Sequence, residues 1–380
     1  MDGLTSDTEH NLVFEDFLRR DTVLHGLPSR AYTSHSFLEL EYQRLFPNHW
    51  MFVGFTHELQ KPGDVIPITA AGRPVLLMRN AVGDINAFHN VCRHRCTKLV
   101  ENAGNVGRSL RCPYHSWRYG LDGELRSAPF FGGRNNTPPP GFDRSEHGLV
   151  SIRTAVWYDW IFINLNHQAE DFVDFIAPIE RRFEDIDLAD LKLVDVIDFG
   201  EVDTNWKFLM ENFIEPYHVP VVHSHSTEQP LFNHVTVIDG HCLGSSVDIT
   251  KAPRSQVASN TLAVSSRYLT LFPNFVLGRY FPDQIGVHLN LPISPGKTSQ
   301  RRAIYMSNGE VLDAERAEAL KQLWSRVHAE DHEMCVRAYR GRASEVTETG
   351  GVLSPCWEDS LRCFQELVVQ AVHPSNHCVC

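Results

Sequence analysis

The chain has 380 residues, with 35 Lys and Arg against 47 Asp and Glu and a formal net charge of −12. That balance, without a basic block, argues against a polyanion partner, because neutralising phosphates takes clustered Lys and Arg. Single hydrophobic cores stop growing near ~250–300 residues, so the length predicts more than one core.

Nine Cys, odd in number and unevenly spaced, do not make a disulfide framework in a chain this long; reduced thiols are expected. Met1 to Phe14 is polar, and Arg19-Arg20 runs into Asp21 rather than an apolar segment. The longest apolar run, Val156 to Leu165, is too short to span a bilayer. The expectation is a cytoplasmic protein with no membrane or nucleic-acid partner.

In chain order, Phe37, Leu38, Tyr42, Leu45 and Phe46 fall near helical spacing and predict a helix from Ser36 to Phe46. Short β-rich runs follow at Met51–Phe55, Val65–Ile68, Pro74–Met78 and Ile85–His89, divided by Pro62-Gly63, Gly72 and Gly83-Asp84. This small β domain continues through Trp117–Gly120 and closes on one mostly buried strand, Val156–Leu165. Helices are predicted over Asp171–Phe183 and Trp206–Tyr217, the second distorted by Pro216 and Pro220. Several strands lie in Thr236–Ile249 and Tyr268–Ile293. A long amphipathic helix runs from Asp313 to Arg340, and Pro374 to Cys380 reads as a loose tail.

Two clusters carry chemistry. Cys92-Arg93-His94 and Cys112-Pro113-Tyr114-His115 each offer one thiolate and one imidazole, the supply that a [2Fe–2S] cluster with Cys₂ on one iron and His₂ on the other requires. The competing reading, a structural zinc site, ordinarily groups Cys with Cys and His with His. Further on, His218 and His223 sit five apart at a Pro-bent helix end and can converge on one ion, with His225 as a competing donor. Two neutral imidazoles plus one carboxylate leave positions open on Fe(II); a pair of satisfied core histidines is the alternative. On the long helix the apolar stripe Leu320, Trp324, Val327, Met334, Ala338 includes Asp331, whereas Glu330 and Glu333 fall on a face that can be solvated. A carboxylate on an apolar face needs a partner, a metal or a buried Arg, so Asp331 is the candidate third ligand. His328 and His332 lean off the stripe and are expected at the surface.

The stretches Asn90 to Arg95 and Cys112 to Gly120 resemble the Rieske domain of the oxygenase branch, and Glu215-x₂-His218-x₄-His223 resembles the mononuclear iron motif of the terminal (α) components of Rieske non-heme iron oxygenases. Tyr114 stands where the respiratory branch has an extra Cys. Cys96 and Ser116 depart from the small residue, such as Gly, usual at their positions; Cys96 is expected to be a buried free thiol. The resemblance implies an α+β protein. An all-β Rieske domain (46–165) is inserted in a helix-grip-like catalytic domain (1–45 plus 166–380), an antiparallel sheet around a long helix. It implies a cluster on Cys92, His94, Cys112 and His115, and Fe(II) on His218, His223 and Asp331. It also implies electrons from a separate NAD(P)H-dependent reductase, with or without a ferredoxin, and a ring of three subunits. Glu215 matches the acid that holds His218 and bridges to a cluster histidine, by position His115, of the next subunit. The implied reaction uses O₂ to hydroxylate or demethylate a small organic molecule, or to dihydroxylate an arene. Glu-Pro-Tyr-His, with Glu where aromatic-ring enzymes mostly have Asp, looks like the branch acting on quaternary ammonium and N-methyl compounds; an aromatic acid is the other candidate substrate. Asn212 is a candidate for shaping the site. Phe208, Phe213, Tyr217, Phe272, Phe275 and Tyr280 are candidate pocket walls, where an aromatic cage would suit a trimethylammonium group. The alternative is a Rieske electron carrier with a non-catalytic ligand-binding domain.

Overall fold

The computed structural model describes residues 17, 23–135, 137–226, 230–249, 264–280 and 283–373; the expected tail after His373 lies outside them. The chain divides into two units, Phe46–Ala169 and a second made of Met1–Leu45 with Glu170–Cys380.

In the first unit the strands are β1 (Met51–Phe55), β2 (Asp64–Ala70), β3 (Arg73–Arg79), β4 (Ile85–His89), β5 (Gly104–Asn105), β6 (Leu110–Arg111), β7 (Arg118–Tyr119), β8 (Leu125–Ser127), β9 (Ser151–Trp157) and β10 (Trp160–Asn164). They form a seven-stranded sheet in the order β1-β10-β9-β4-β3-β2-β5 and a three-stranded sheet β6-β7-β8. The single strand expected over Val156–Leu165 is a hairpin: the chain reverses at Tyr158-Asp159, with Tyr158 at φ 55°, and Trp157 pairs with Trp160. A two-residue turn without Gly or Asn carries no hairpin signal in sequence. Val65, Leu76, Met78, Phe88, Trp117 and Tyr119 form a core that also takes in Cys92 and Cys112.

In the second unit a single helical turn at Arg30–Thr33 precedes a helix, α1 (His35–Leu40), shorter than expected because Glu41–Leu45 continues as a π turn. Next come α2 (Phe172–Glu180), β11 (Lys192–Val202), α3 (Trp206–Ile214), α4 (Val219–Val222), β12 (His234–Asp239), β13 (Cys242–Ile249), β14 (Val264–Leu271), β15 (Phe275–Tyr280), β16 (Gln284–Ser294), β17 (Lys297–Met306), α5 (Ala314–Gly341) and α6 (Asp359–Val372). The strands form one antiparallel sheet, β11-β17-β16-β15-β14-β13-β12. Leu320 and Trp324 of α5 pack with Ile197, Tyr280, Ile304 and Met306 of that sheet, so this is a long helix against an antiparallel sheet. The fold is α+β.

Candidate functional site

Two loops of the first unit repeat one turn. Cys92 N donates to Thr97 O at 2.8 Å and Cys96 N to Cys92 O at 3.1 Å; Cys112 N donates to Trp117 O at 2.8 Å and Ser116 N to Cys112 O at 3.1 Å. The fifth residue of each turn is left-handed, Cys96 at φ 54° and Ser116 at φ 58°, which explains why a Gly suits these places. Cys96 is exposed, not buried as expected, because the turn projects its side chain away from the core. Cys92 and Cys112 are each 1% exposed, and the rings of His94 and His115 lie 4.6 Å apart. His94 stacks on Trp117 at 5.0 Å, and its Nδ1 is buried without a hydrogen-bond partner. Two buried thiols beside paired imidazoles, one with an orphaned nitrogen, fit a Cys₂His₂ iron–sulfur group. Tyr119, which the sequence reasoning did not single out, places its hydroxyl 3.2 Å from Cys92 Sγ and accepts from Arg93 N at 3.0 Å. Hydrogen bonds to cluster sulfur are among the determinants of reduction potential.

In the second unit, α3 is capped at its start by Asn205, whose side chain accepts from Lys207 N, and anchored by the buried Lys207–Glu41 pair at 2.6 Å. It stops at Ile214. Glu215 is extended (φ −112°, ψ 138°), as a residue before proline prefers. The helix is therefore three residues shorter than predicted, and the released turn carries His218 and His223. Glu215 Oε1 pairs with His218 Nδ1 at 2.6 Å, while Oε2 accepts from the backbone of Tyr217 and His218. Glu330 pairs with His223 Nδ1 at 2.7 Å and accepts from Ser226 Oγ at 2.6 Å. With both Nδ1 atoms taken, the Nε2 atoms face Asp331 Oδ1, at 3.6 Å from His218 and 3.0 Å from His223. Asn212 donates to the same oxygen at 2.8 Å.

The ligand atoms of His218, His223 and Asp331 all lie within 4.8 Å of one another. Two imidazoles and a carboxylate, each oriented by a further hydrogen bond, fit a mononuclear Fe(II) site with open positions. Burial disfavours charge on both partners, yet their mutual bonds outweigh it: the His223 pKa rises to about 9, and that of Asp331 falls below the ordinary carboxylate range. His225 is exposed and outside this group.

Glu330 is not on a free solvated face; it meets His223, which arrives from 107 residues away. His328 is 3% exposed rather than superficial, and His332 bonds Gln300. The buried positions of α5 are Leu320, Trp324, His328 and Cys335, a stripe displaced from the predicted one, with Asp331 half-buried at its edge. A cavity of about 90 Å³ includes His218, His223 and Asp331 in its wall, together with Phe213, Tyr280 and Asn212. Phe208, Phe272 and Phe275 are buried outside that lining, and Tyr217 is exposed.

The chain matches the family described as ring hydroxylating alpha subunit (catalytic domain) over residues 181–373, and the Rieske [2Fe-2S] domain over 49–138. It is 27% identical over 335 residues to chloroplastic choline monooxygenase of Atriplex hortensis, covering 86% of this chain and 74% of the relative. The glycine betaine monooxygenase oxygenase subunit of Pseudomonas aeruginosa is 35% identical over 204 residues, 53% of this chain and 46% of that protein. The large oxygenase component of salicylate 5-hydroxylase from Ralstonia sp is 32% identical over 207 residues, 52% and 49%. Among solved structures, a quaternary ammonium Rieske monooxygenase superposes with a TM-score of 0.80 at 24% identity, covering 94% of this chain and 98% of that one.

The chain belongs to the ring-hydroxylating oxygenase α-subunit family. It is the oxygenase component of a Rieske oxygenase, with a [2Fe–2S] cluster, a mononuclear iron and a separate reductase as electron source. Among the described residues no helix is long and apolar enough to cross a membrane.

Proposed function

We propose that this oxygenase hydroxylates or oxidatively demethylates a small organic molecule held in the cavity beside His218, His223 and Asp331. The observation that carries the reading is the convergence of two Nε2 atoms on one carboxylate oxygen at a cavity wall, with Glu215 and Glu330 fixing both imidazoles from behind. Cys92, His94, Cys112 and His115 hold the cluster and His218, His223 and Asp331 the iron; the cluster supplies single electrons, and Fe(II) supplies positions where O₂ and substrate meet.

The chain's own residues do the positioning. Glu215 and Glu330 set the tautomer of each imidazole so that Nε2 points inward. Asn212 restrains Asp331. Phe213, Tyr280 and Trp324 supply apolar wall that excludes water from the substrate. The assembly is a homotrimer in a cytoplasmic setting, fed by an NAD(P)H-dependent reductase. Glu215 bridges subunits by sharing its carboxylate between His218 and His115 of the partner subunit. The relatives named for choline, glycine betaine and salicylate bracket the substrate: a quaternary ammonium or N-methyl compound, or an aromatic acid.

The test is protein purified anaerobically, assayed for iron, and supplied with a surrogate reductase and a panel of betaines and aromatic acids. Mononuclear iron in addition to the Rieske signal, with NADH consumption coupled to product, is the expected result. A Rieske signal with no further iron would leave only an electron carrier.

A further inference from the structure

The cavity beside His218, His223 and Asp331 also contains a cation that this site does not use. Arg302 lies on β17, is 1% exposed and lines that cavity. Its guanidinium carbon sits 3.6 Å from the ring centroid of Trp324 and 4.5 Å from that of Tyr280. A positive charge thus already covers one face each of Trp324 and Tyr280, which leaves Phe213 and Tyr268 as the other aromatic side chains of the cavity wall.

Arg302 Nη1 lies 3.1 Å from His328 Nε2, and burial keeps that imidazole far below its usual pKa, so it accepts as the neutral form. The Tyr280 hydroxyl interacts with the guanidinium, but Nε and Nη2 are buried and meet no acceptor in good hydrogen-bond geometry. Among the described residues no carboxylate forms an ion pair with Arg302. The other imidazoles of the cavity outside the iron site are also held uncharged by burial, His234 with a pKa of about 4 and His288 well below its usual value. His288 pairs across β16–β17 with Arg302, and its Nε2 is likewise buried and unpartnered. The space for the guanidinium is built in: a Cβ at Gly286 would lie 2.6 Å from Arg302 Nη2.

Taking a guanidinium out of water with two donor groups unmet is costly unless a partner arrives. The planar fork of Arg matches a carboxylate in a way that no neutral ligand does. We propose that Arg302 receives the carboxylate of the substrate, so that this oxygenase takes small acids, either aromatic carboxylates or zwitterionic betaines, and rejects cations that lack an anionic group. The assignment rests on the oxygenase reading above, since it places the substrate in the same cavity.

The experiment is equilibrium binding to the holoenzyme of benzoate, salicylate and glycine betaine, against methyl benzoate and choline. At least one of the acids should bind, and each neutral or cationic counterpart should bind about 10–100-fold more weakly, the range for losing hydrogen bonds to a charged group. Arg302→Gln should abolish the preference for acid over ester, and Arg302→Lys should keep part of it. Retention of the Rieske spectrum and of iron shows that each variant is folded; should Arg302→Gln fail to fold, the acid–ester comparison on the unaltered protein still decides. Equal binding of benzoate and methyl benzoate, choline binding as tightly as glycine betaine, or no acid binding at millimolar concentration overturns the proposal. Failure of the oxygenase reading has a different sign, the lack of mononuclear iron in protein that still prefers acid to ester.

Discussion

In residues 46–169 the four candidate cluster ligands come from two short loops that repeat one turn, whereas in the second unit the candidate iron ligands are drawn from segments more than a hundred residues apart. The charges differ as well. Residues 46–169 carry 13 Lys and Arg against 9 Asp and Glu, and the rest of the chain 22 against 38. Arg93, Arg95, Lys98, Arg108, Arg111 and Arg118 are all exposed around the cluster loops, with Glu101 as the one acid in that stretch. The overall −12 therefore conceals a basic rim, and it does not argue against an acidic electron donor docking there. One unit has a locally built, partly exposed ligand set; the other has a ligand set assembled by tertiary packing around a cavity.

The strongest way to break this contrast is Asp331→Ala. Removing the carboxylate should eliminate mononuclear iron and all turnover while the visible absorbance and EPR signal of the cluster persist. Metal analysis and EPR on the same sample check it; loss of both signals would show that the two ligand sets are not independently built. Next in size is Glu330→Gln. The amide still touches His223 but no longer offers a full carboxylate, and losing such an orienting partner typically costs 10–100-fold in metal affinity or activity. Competition with a chelator should show faster loss of the mononuclear iron and an unchanged cluster.

How much of each unit was legible follows from the same contrast. The cluster ligands were readable because their spacing is local. The iron histidines were readable because Pro216 and Pro220 mark where α3 must end. The partner of His223 was not, because Glu330 on α5 looks like any exposed acid until tertiary packing brings His223 to it. β11 was missed because Asp195, Asp198 and Glu201 interrupt its apolar pattern, and β17 because it opens with charged and polar residues. α6 had an available signal: Leu361, Phe364, Val368 and Val372 recur at helical spacing and are all buried. Arg302 could not have been found, since a mid-strand arginine acquires its meaning only from Tyr280, Trp324 and the bare Cα of Gly286.

Gly286→Ala sharpens the contrast at an intermediate scale. The added methyl would meet Arg302 Nη2 at 2.6 Å and the Tyr280 ring at 2.9 Å, so the guanidinium has to shift from its place against Trp324 and Tyr280 to make room. Overpacking of this kind costs about 1–3 kcal/mol. The expected outcome is a lower unfolding temperature for the catalytic unit and weaker ligand binding, with the temperature of cluster loss unchanged.

The smallest effect tests whether the two cluster loops are equivalent. A non-glycine residue in the left-handed region costs roughly 1–2 kcal/mol, and glycine gives back about 0.5–1 kcal/mol of that through its freer unfolded chain. Cys96→Gly should therefore stabilise the cluster-binding unit by up to about 1.5 kcal/mol, read as a higher denaturant midpoint for bleaching of the cluster. Ser116→Gly relieves the same backbone strain but loses the bonds that Arg111 donates to Ser116 Oγ, at 3.2 and 2.8 Å. Those bonds are exposed and individually small, so its gain should be lower than that of Cys96→Gly but not reversed. If Cys96→Gly instead lowers the midpoint, the exposed thiol has a role that the turn geometry does not explain, and the two loops are alike in backbone only.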